Sequence, residues 1–487
     1  SCERQSRNRT TRLKKQAANM MGQREKKYTD NESLPADTSM PQLQTAWNPE
    51  LMLEIFRSTL RPLGEIEYDI LGCRLSRFRY RQGARSIVLY QLTLREKFTC
   101  IKRSVWVTGV TYPDDRANRL YHRVMSSNPW KTIPESIRFI EPVSFIPELK
   151  MLIQVFPQDR FLPTLPLLIA GPPPELERYL LERFGTGNWR MERYEVEPVR
   201  YRPFLGVTLR YKIEARDTSA NLERTECFYI KIYRDENVKQ TYERLNKLYY
   251  SFSSGEKGFT MVKPLTCFDD LHALVFEAAP GRSLEQIILQ GENVNAAISK
   301  SAAALAELNQ SKVALAQYRS REETLSRAGK AGRLIQWACP ELREKVDEIL
   351  NKVEYCLKEV PPCPTHLDIK VDHIFIDDDK VVFIDLDSFA LSDPVFDPAS
   401  LLVRMEMLPN FSSIPKLTVD GVSKIFLEEY FASVPNEWHE RLSINYSCAA
   451  LKVALYYLQH QEPSWRKHVS MIVNRAMDVL AGEALVL

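Results

Sequence analysis

Apolar and polar positions alternate with a period of two in two separate stretches of the chain. Phe78-Arg79-Tyr80-Arg81-Gln82-Gly83 runs into ARSIVLYQL, and Val199-Arg200-Tyr201-Arg202-Pro203-Phe204 runs into LGVTLRYKI. Each reads as strand, turn and strand. The two lie 121 positions apart, and at the same offset VTYPDDRANRLYHRV (Val110 to Val124) lies over KIYRDENVKQTYERL (Lys231 to Leu245). One position out of step, IEPVSFIPELKMLIQVF (from Ile140) lies over VKPLTCFDDLHALVFEA (from Val262). Helical segments at about Pro49 to Leu60 and Pro174 to Phe184 precede the copies. An internal repeat is therefore expected.

In the second copy ECFYIKIYRDE predicts a third strand with Lys231 at its centre. A helix from about Glu236 to Tyr250 follows, its Tyr242, Leu245 and Tyr249 spaced to face a sheet. LHALVFEAAPG (Leu271 to Gly281) predicts a last strand ending in a Pro280-Gly281 turn. In the first copy Val110 stands where the second has Lys231, and His122 where it has Glu243.

Beyond residue 284 the period changes to 3.6. Ile298, Ala302, Leu305 and Leu308 mark one amphipathic helix, and others are expected at about 340–358, 421–434, 440–459 and 464–483. The helical pattern is interrupted from Thr365 to Asp397, THLDIKVDHIFIDDDKVVFIDLDSFALSDPVFD. Here Ile374 to Ile376 and Val381 to Ile384 read as short strands around an Asp377-Asp378-Asp379 turn. Such a hairpin would bring Asp368, His373 and Asp385 to one point.

Composition changes this picture little. Of 487 residues, 44% are hydrophobic and 26% charged, which suits a globular chain of two or three domains. Apolar runs are broken by charges, as by Lys452 in CAALKVALYYL, so no membrane span is expected. The nine cysteines are scattered and no signal peptide opens the sequence, which favours a cytoplasmic location. The chain does not begin with Met, which reads as a fragment or an arbitrary start, with Met20 or Met21 as candidate true starts. Through Lys27 there are nine Lys or Arg against Glu3 and Glu25, so residues 1–45 read as a disordered basic tail. The rest is near neutral, and nucleic acid is not an expected partner.

The chemistry that calls for converging carboxylates beside a strand lysine is phosphoryl transfer. One carboxylate takes or orients the proton of an attacking hydroxyl, while further ligands hold magnesium on the nucleotide phosphates. His366-Leu367-Asp368-Ile369-Lys370-Val371-Asp372-His373 has the spacing of the protein-kinase loop H-R-D-x-x-x-x-N, with His373 in place of Asn. Ile384-Asp385-Leu386-Asp387 follows where a metal-binding Asp is needed, but there is no D-F-G and no A-P-E.

The stretch more closely resembles the aminoglycoside phosphotransferase and choline kinase-like family, whose loop H-G-D-x-x-x-x-N is followed by I-D-[FW] and G-D-P-x-x-D. Ser392-Asp393-Pro394-Val395-Phe396-Asp397 matches the last piece, and AAISKSAAALAELNQ is similar to the A-L-A-x-L-H helix with Asn309 for His. The resemblance implies ATP and Mg²⁺ as cofactors. It implies Asp368 as catalytic carboxylate, Asp385 as metal ligand, and Lys231 paired with Glu243 at the phosphates. Glu277, Ala278 and Ala279 are the hinge candidates for adenine. Lys370 either neutralises the transferring group or is an ordinary exposed lysine. His366 is read as structural, and Asp393 and Asp397 as loop ties.

Because imidazole is a poor magnesium ligand, Asp387 and water complete the coordination, or His373 works through water, or the metal site is weakened.

The expected fold class is α+β, a protein kinase-like two-lobe fold with an antiparallel β small lobe and a mainly helical large lobe, preceded by a degenerate extra small-lobe copy. The expected divisions are 1–45 tail, 46–172 extra copy, 173–281 nucleotide lobe and 282–487 helical lobe. The extra copy is read as structural or regulatory, against an unrelated small α+β domain. The expected function is transfer of the ATP γ-phosphate to a hydroxyl of a small polar acceptor such as a sugar, amino sugar or amino alcohol. The alternatives are a catalytically weak or inactive kinase-like binding module and, less favoured, a protein kinase. An oligomer through the extra lobe is allowed for.

Overall fold

The computed structural model describes residues 33–482 except 64–66, 128–132, 134–138, 235–236, 255–256, 315–316, 411 and 413. The basic stretch through Lys27 and the expected helix start at Glu236 lie outside the described residues. Residues 33–45, expected within the tail, are instead packed: Leu34, Met40 and Leu43 are buried.

The helix α1 (Pro49–Thr59) opens with Asn48, whose side chain accepts from the Glu50 and Leu51 amides and so satisfies donors that a helix start leaves free. The first sheet then comprises β1 (Tyr68–Arg81), β2 (Arg85–Glu96), β3 (Lys102–Thr111), β4 (Val143–Ile146) and β5 (Met151–Val155), with α2 (Arg116–Ser126) between β3 and β4. Its strand order is β1-β2-β3-β5-β4.

After α3 (Pro174–Glu182) come β6 (Trp189–Arg202), β7 (Gly206–Asp217), β8 (Leu222–Tyr233) and α4 (Val238–Ser253). They are followed by β9 (Phe259–Met261), β10 (Pro264–Phe268) and β11 (Ala273–Glu277). The second sheet has the order β6-β7-β8-β11-β10, matching the first position for position. The registers match too. Lys231 pairs with Thr208 and Leu274, and Val110 pairs with Ile87 and Leu152. The alternation read from the sequence is visible in β7, where Val207, Leu209, Tyr211, Ile213 and Ala215 are buried.

A small sheet follows. β12 (Arg282–Ser283) pairs with β14 (Ile374–Asp377), which turns through Asp378 into β15 (Lys380–Phe383), and β9 lies parallel to β15. The expected hairpin is therefore present, and β9 ties it to the segment that follows α4. A two-stranded pair of β13 (Cys363–Thr365) and β16 (Ala390–Ser392) frames it.

The longer helices of the remainder are α5 (Val294–Gln310), α6 (Arg321–Ala338), α7 (Arg343–Cys356), α8 (Phe396–Met407), α9 (Lys416–Ala432), α10 (Leu442–His460) and α11 (Trp465–Leu480). α6 was not anticipated, because its charged and small residues (REETLSRAGKAGRLIQWA) carry a weak apolar stripe. None of the described helices is long and apolar enough to cross a membrane.

The first sheet packs on both neighbours. Trp47 and Tyr80 pack on Trp337 of α6, with ring centroids 5.6 and 4.6 Å apart. Trp106 stacks on Tyr201 of β6 at 5.6 Å. Buried Asp159 accepts hydrogen bonds from Tyr201 Oη at 2.9 Å and from the Phe204 amide at 2.8 Å, pinning the β6–β7 turn.

Candidate active site

Leu367 and Asp385 both adopt left-handed backbone conformations (φ 66° and 62°). Non-glycine residues hold such angles only where surrounding structure fixes them. Asp397, fully buried, supplies part of that fixing. Its carboxylate accepts from the amides of His366 (2.7 Å) and Leu367 (2.8 Å) and from Asn309 Nδ2 (3.1 Å). His366 Nε2 lies 2.9 Å from the Ile384 carbonyl, tying the loop to the end of β15. Asp393 is held by Arg441 and Asn445, so both acids act on loops.

The loop and the hairpin bring Asp368, His373 and Asp385 together, with one ligand atom of each within 4.8 Å of the others. Lys231 Nζ reaches Asp385 Oδ1 at 2.7 Å and Asp387 Oδ2 at 3.1 Å. Burial works against its charge, but Asp387 and Asp385 outweigh this and raise its pKa. Asp385 is held well below the ordinary carboxylate range: burial opposes ionisation, and Lys231 leads the groups that overcome it.

Burial also opposes ionisation of Asp368, yet Lys452 at 2.8 Å and Lys370 at 3.5 Å keep it well below normal. His373 is buried, and this together with Lys370 lowers its pKa to about 3, leaving a neutral ring with Nε2 3.7 Å from Asp385. Its Nδ1 has no hydrogen-bond partner.

The Lys231–Glu243 pair does not form. Glu243 is exposed on α4, and the two aspartates take the lysine's charge instead. Glu277 and Ala279 line a cavity of about 700 Å³ with Phe276, Lys231, His373 and Asp385. The Glu277 amide is bonded to the Lys263 carbonyl and its carboxylate pairs with Arg183 at 3.2 Å.

Three further groups join the site. Arg200 reaches Asp385 Oδ2 at 2.9 Å from a register shift in β6 next to Pro198, and such irregularities re-aim side chains. Arg244 of α4 donates to the Asp387 carbonyl at 3.2 Å. Lys452 of α10 is the third; the signal for it was a lone cation inside an apolar run.

A β lobe carrying a strand lysine, a cavity beside it and a hairpin with paired carboxylates defines a protein kinase-like phosphotransferase. Residues 215–423 match the phosphotransferase enzyme family, APH. The resemblance to the aminoglycoside phosphotransferase and choline kinase-like family thus holds over that stretch. No curated protein matches it.

Similar solved structures include an ethanolamine kinase of Plasmodium vivax (13% identical, 60% of this chain and 84% of that one, TM-score 0.40). A choline kinase of Streptococcus pneumoniae is also similar (15%, 63% and 98%, TM-score 0.41). So is ADP-bound aminoglycoside phosphotransferase APH(2'')-Ib (13%, 64% and 99%, TM-score 0.39).

Proposed function

We propose that the protein transfers the γ-phosphoryl group of ATP to a hydroxyl of a small polar molecule. The observation carrying this reading is the 2.7 Å approach of Lys231 to Asp385, at the end of the hairpin whose preceding loop holds Asp368. In this arrangement Lys231, with Arg200 beside it, faces the nucleotide phosphates. Backbone groups of Ala278 and Ala279 serve adenine, which leaves their side chains loosely constrained. The neutral His373 ring and the Asp385 and Asp387 carboxylates form a donor set that suits a divalent cation. The ion would draw the phosphate oxygens together and offset their charge. A nitrogen donor among them favours Mn²⁺ more than an all-oxygen site would.

Asp368 stays ionised at neutral pH, so it accepts a hydrogen bond from the acceptor hydroxyl and orients it for attack. Its depressed pKa makes it a weak base, which suits a reaction whose proton moves late. The first sheet is read as a degenerate copy of the nucleotide lobe. Strand order and register support common origin, and Val110 and His122 replace the charged positions.

A second reading, a weak or inactive kinase-like module, is favoured by His373 and by the lysine already seated on Asp368. Turnover decides between them. Cation-dependent ADP formation across an acceptor panel should exceed that of Asp368→Asn by on the order of 10²- to 10⁴-fold. Equal rates would support the module.

A further inference from the structure

The loop carrying Asp368 borders a second cavity of about 420 Å³, which is not lined by Glu277 or Ala279 but shares Arg77, Arg200, Lys370 and Arg404 with the first. Eleven lysines or arginines line it against three carboxylates, Glu359, Asp368 and Asp393. Its cations come from separate parts of the fold. Arg77 is on β1, Arg202 ends β6, Lys370 follows the catalytic aspartate, Arg404 is on α8 and Lys452 on α10. Arg77 lies beside a register shift in β1, much as Arg200 does in β6.

Several of these charges lack an acid. Lys452 and Lys370 share Asp368, and Arg200 is on Asp385. Among the described residues, Arg77 and Arg202 form no ion pair. The Nε atoms of Arg77 and Arg404 are buried without a hydrogen-bond partner. Burial first, then Arg202, Arg79 and Arg200, pull the Arg77 pKa down to about 10, the mark of cations crowded together.

Folding does not gather like charges at a cavity without cost, and guanidinium forks match phosphate and carboxylate oxygens bidentately. A cationic amino sugar or amino alcohol would be repelled here.

We propose that this cavity binds an acceptor already bearing a phosphate, a phosphorylated polyhydroxyl compound. Arg77 of the extra sheet is one of its specificity-determining contacts. This rests on the kinase reading above. The acceptor hydroxyl oxygen forms a bond to the γ-phosphorus, and the bond from that phosphorus to the β,γ-bridging oxygen breaks. ADP leaves with the electron pair, and the hydroxyl proton passes to Asp368. The extra sheet thereby completes the acceptor site, a role its lost lysine does not prevent.

The 487-residue chain is titrated calorimetrically with glucose 6-phosphate and glycerol 3-phosphate against glucose, glycerol, choline and kanamycin, and ADP release is followed separately. The phosphate esters should bind at least about tenfold more tightly than their uncharged parents, and more weakly as salt rises. Saturating AMP-PNP with Mn²⁺ should leave that binding intact. Arg77→Gln should reduce the affinity about tenfold at unchanged melting temperature, and Arg202→Gln serves if the first variant fails to fold.

Preferential binding or phosphorylation of choline or kanamycin would overturn the inference while leaving the kinase reading standing. Displacement of the esters by nucleotide would also overturn it, since the cations would then belong to the ATP site. Ester binding without any ADP release would keep the anion site and sink the kinase reading.

Discussion

Lys452 Nζ sits 2.8 Å from Asp368 Oδ1 and 2.8 Å from the Leu367 carbonyl, although 84 positions separate lysine and aspartate. A single helix residue thus holds both the conformation and the charge of the loop residue assigned to the acceptor hydroxyl. The side chains are 38% and 23% exposed, so water moderates the pair without abolishing it.

Replacing that lysine should therefore change the chemistry more than the stability. In Lys452→Met the Asp368 pKa moves up towards its ordinary value, and the acidic limb of the pH–rate profile shifts to higher pH with it. Stability at pH 7 should drop by only about 1 kcal/mol. The pair's contribution is fully present there, because a depressed carboxylate pKa loses its stabilisation only as pH falls below the unfolded value near 4. An unmoved acidic limb would show that Lys452 does not govern Asp368.

Metal preference follows from the residue that replaces the expected Asn. His373→Asn restores an oxygen donor, so the ratio of Mn²⁺-supported to Mg²⁺-supported ADP formation should fall. Rates measured with each ion over a concentration series check this. An unchanged ratio would remove His373 from the metal's surroundings.

Asp397 should be the costliest of the loop ties. Asp397→Asn turns an amide donor towards backbone N–H groups that now give hydrogen bonds to a carboxylate. A loss of about 2–3 kcal/mol is expected in urea denaturation, since the affected groups are buried. Asn309→Ala removes a donor to the same carboxylate together with its bonds to the Pro364 carbonyl and the Tyr430 hydroxyl, so it should also destabilise.

Acid sensitivity should report on the cation cluster. Burial, followed by repulsion from Arg77, lowers the His460 pKa to about 4, against 6.5 for a free histidine. The neutral ring's stabilisation is present above pH 6.5 and is lost as pH falls towards 4. Melting temperatures between pH 7.5 and 4.5 should decline, and less steeply in His460→Gln. In Arg77→Gln the His460 midpoint, read from its ring proton by NMR, should rise.

The sequence by itself determined what depends on neighbours along the chain. Alternation marked β1, β2, β6 and β7, and acidic turn residues marked the hairpin at Asp378. The spacing from His366 to Asp397 marked the loop whose phosphotransferase family match the comparison bears out. Short-range sterics and side-chain period suffice for these, because they act within a few residues.

Tertiary structure decided which charges meet. Lys231 pairs with Asp385 and Asp387 and not with Glu243, because the hairpin reaches the strand while the helix turns that acid to solvent. Lys452, Arg200 and Arg77 lie in three distant elements, and no local pattern links them to Asp368. Charge–charge energy depends on separation in space and on exclusion of water, and only the packed lobes set either quantity.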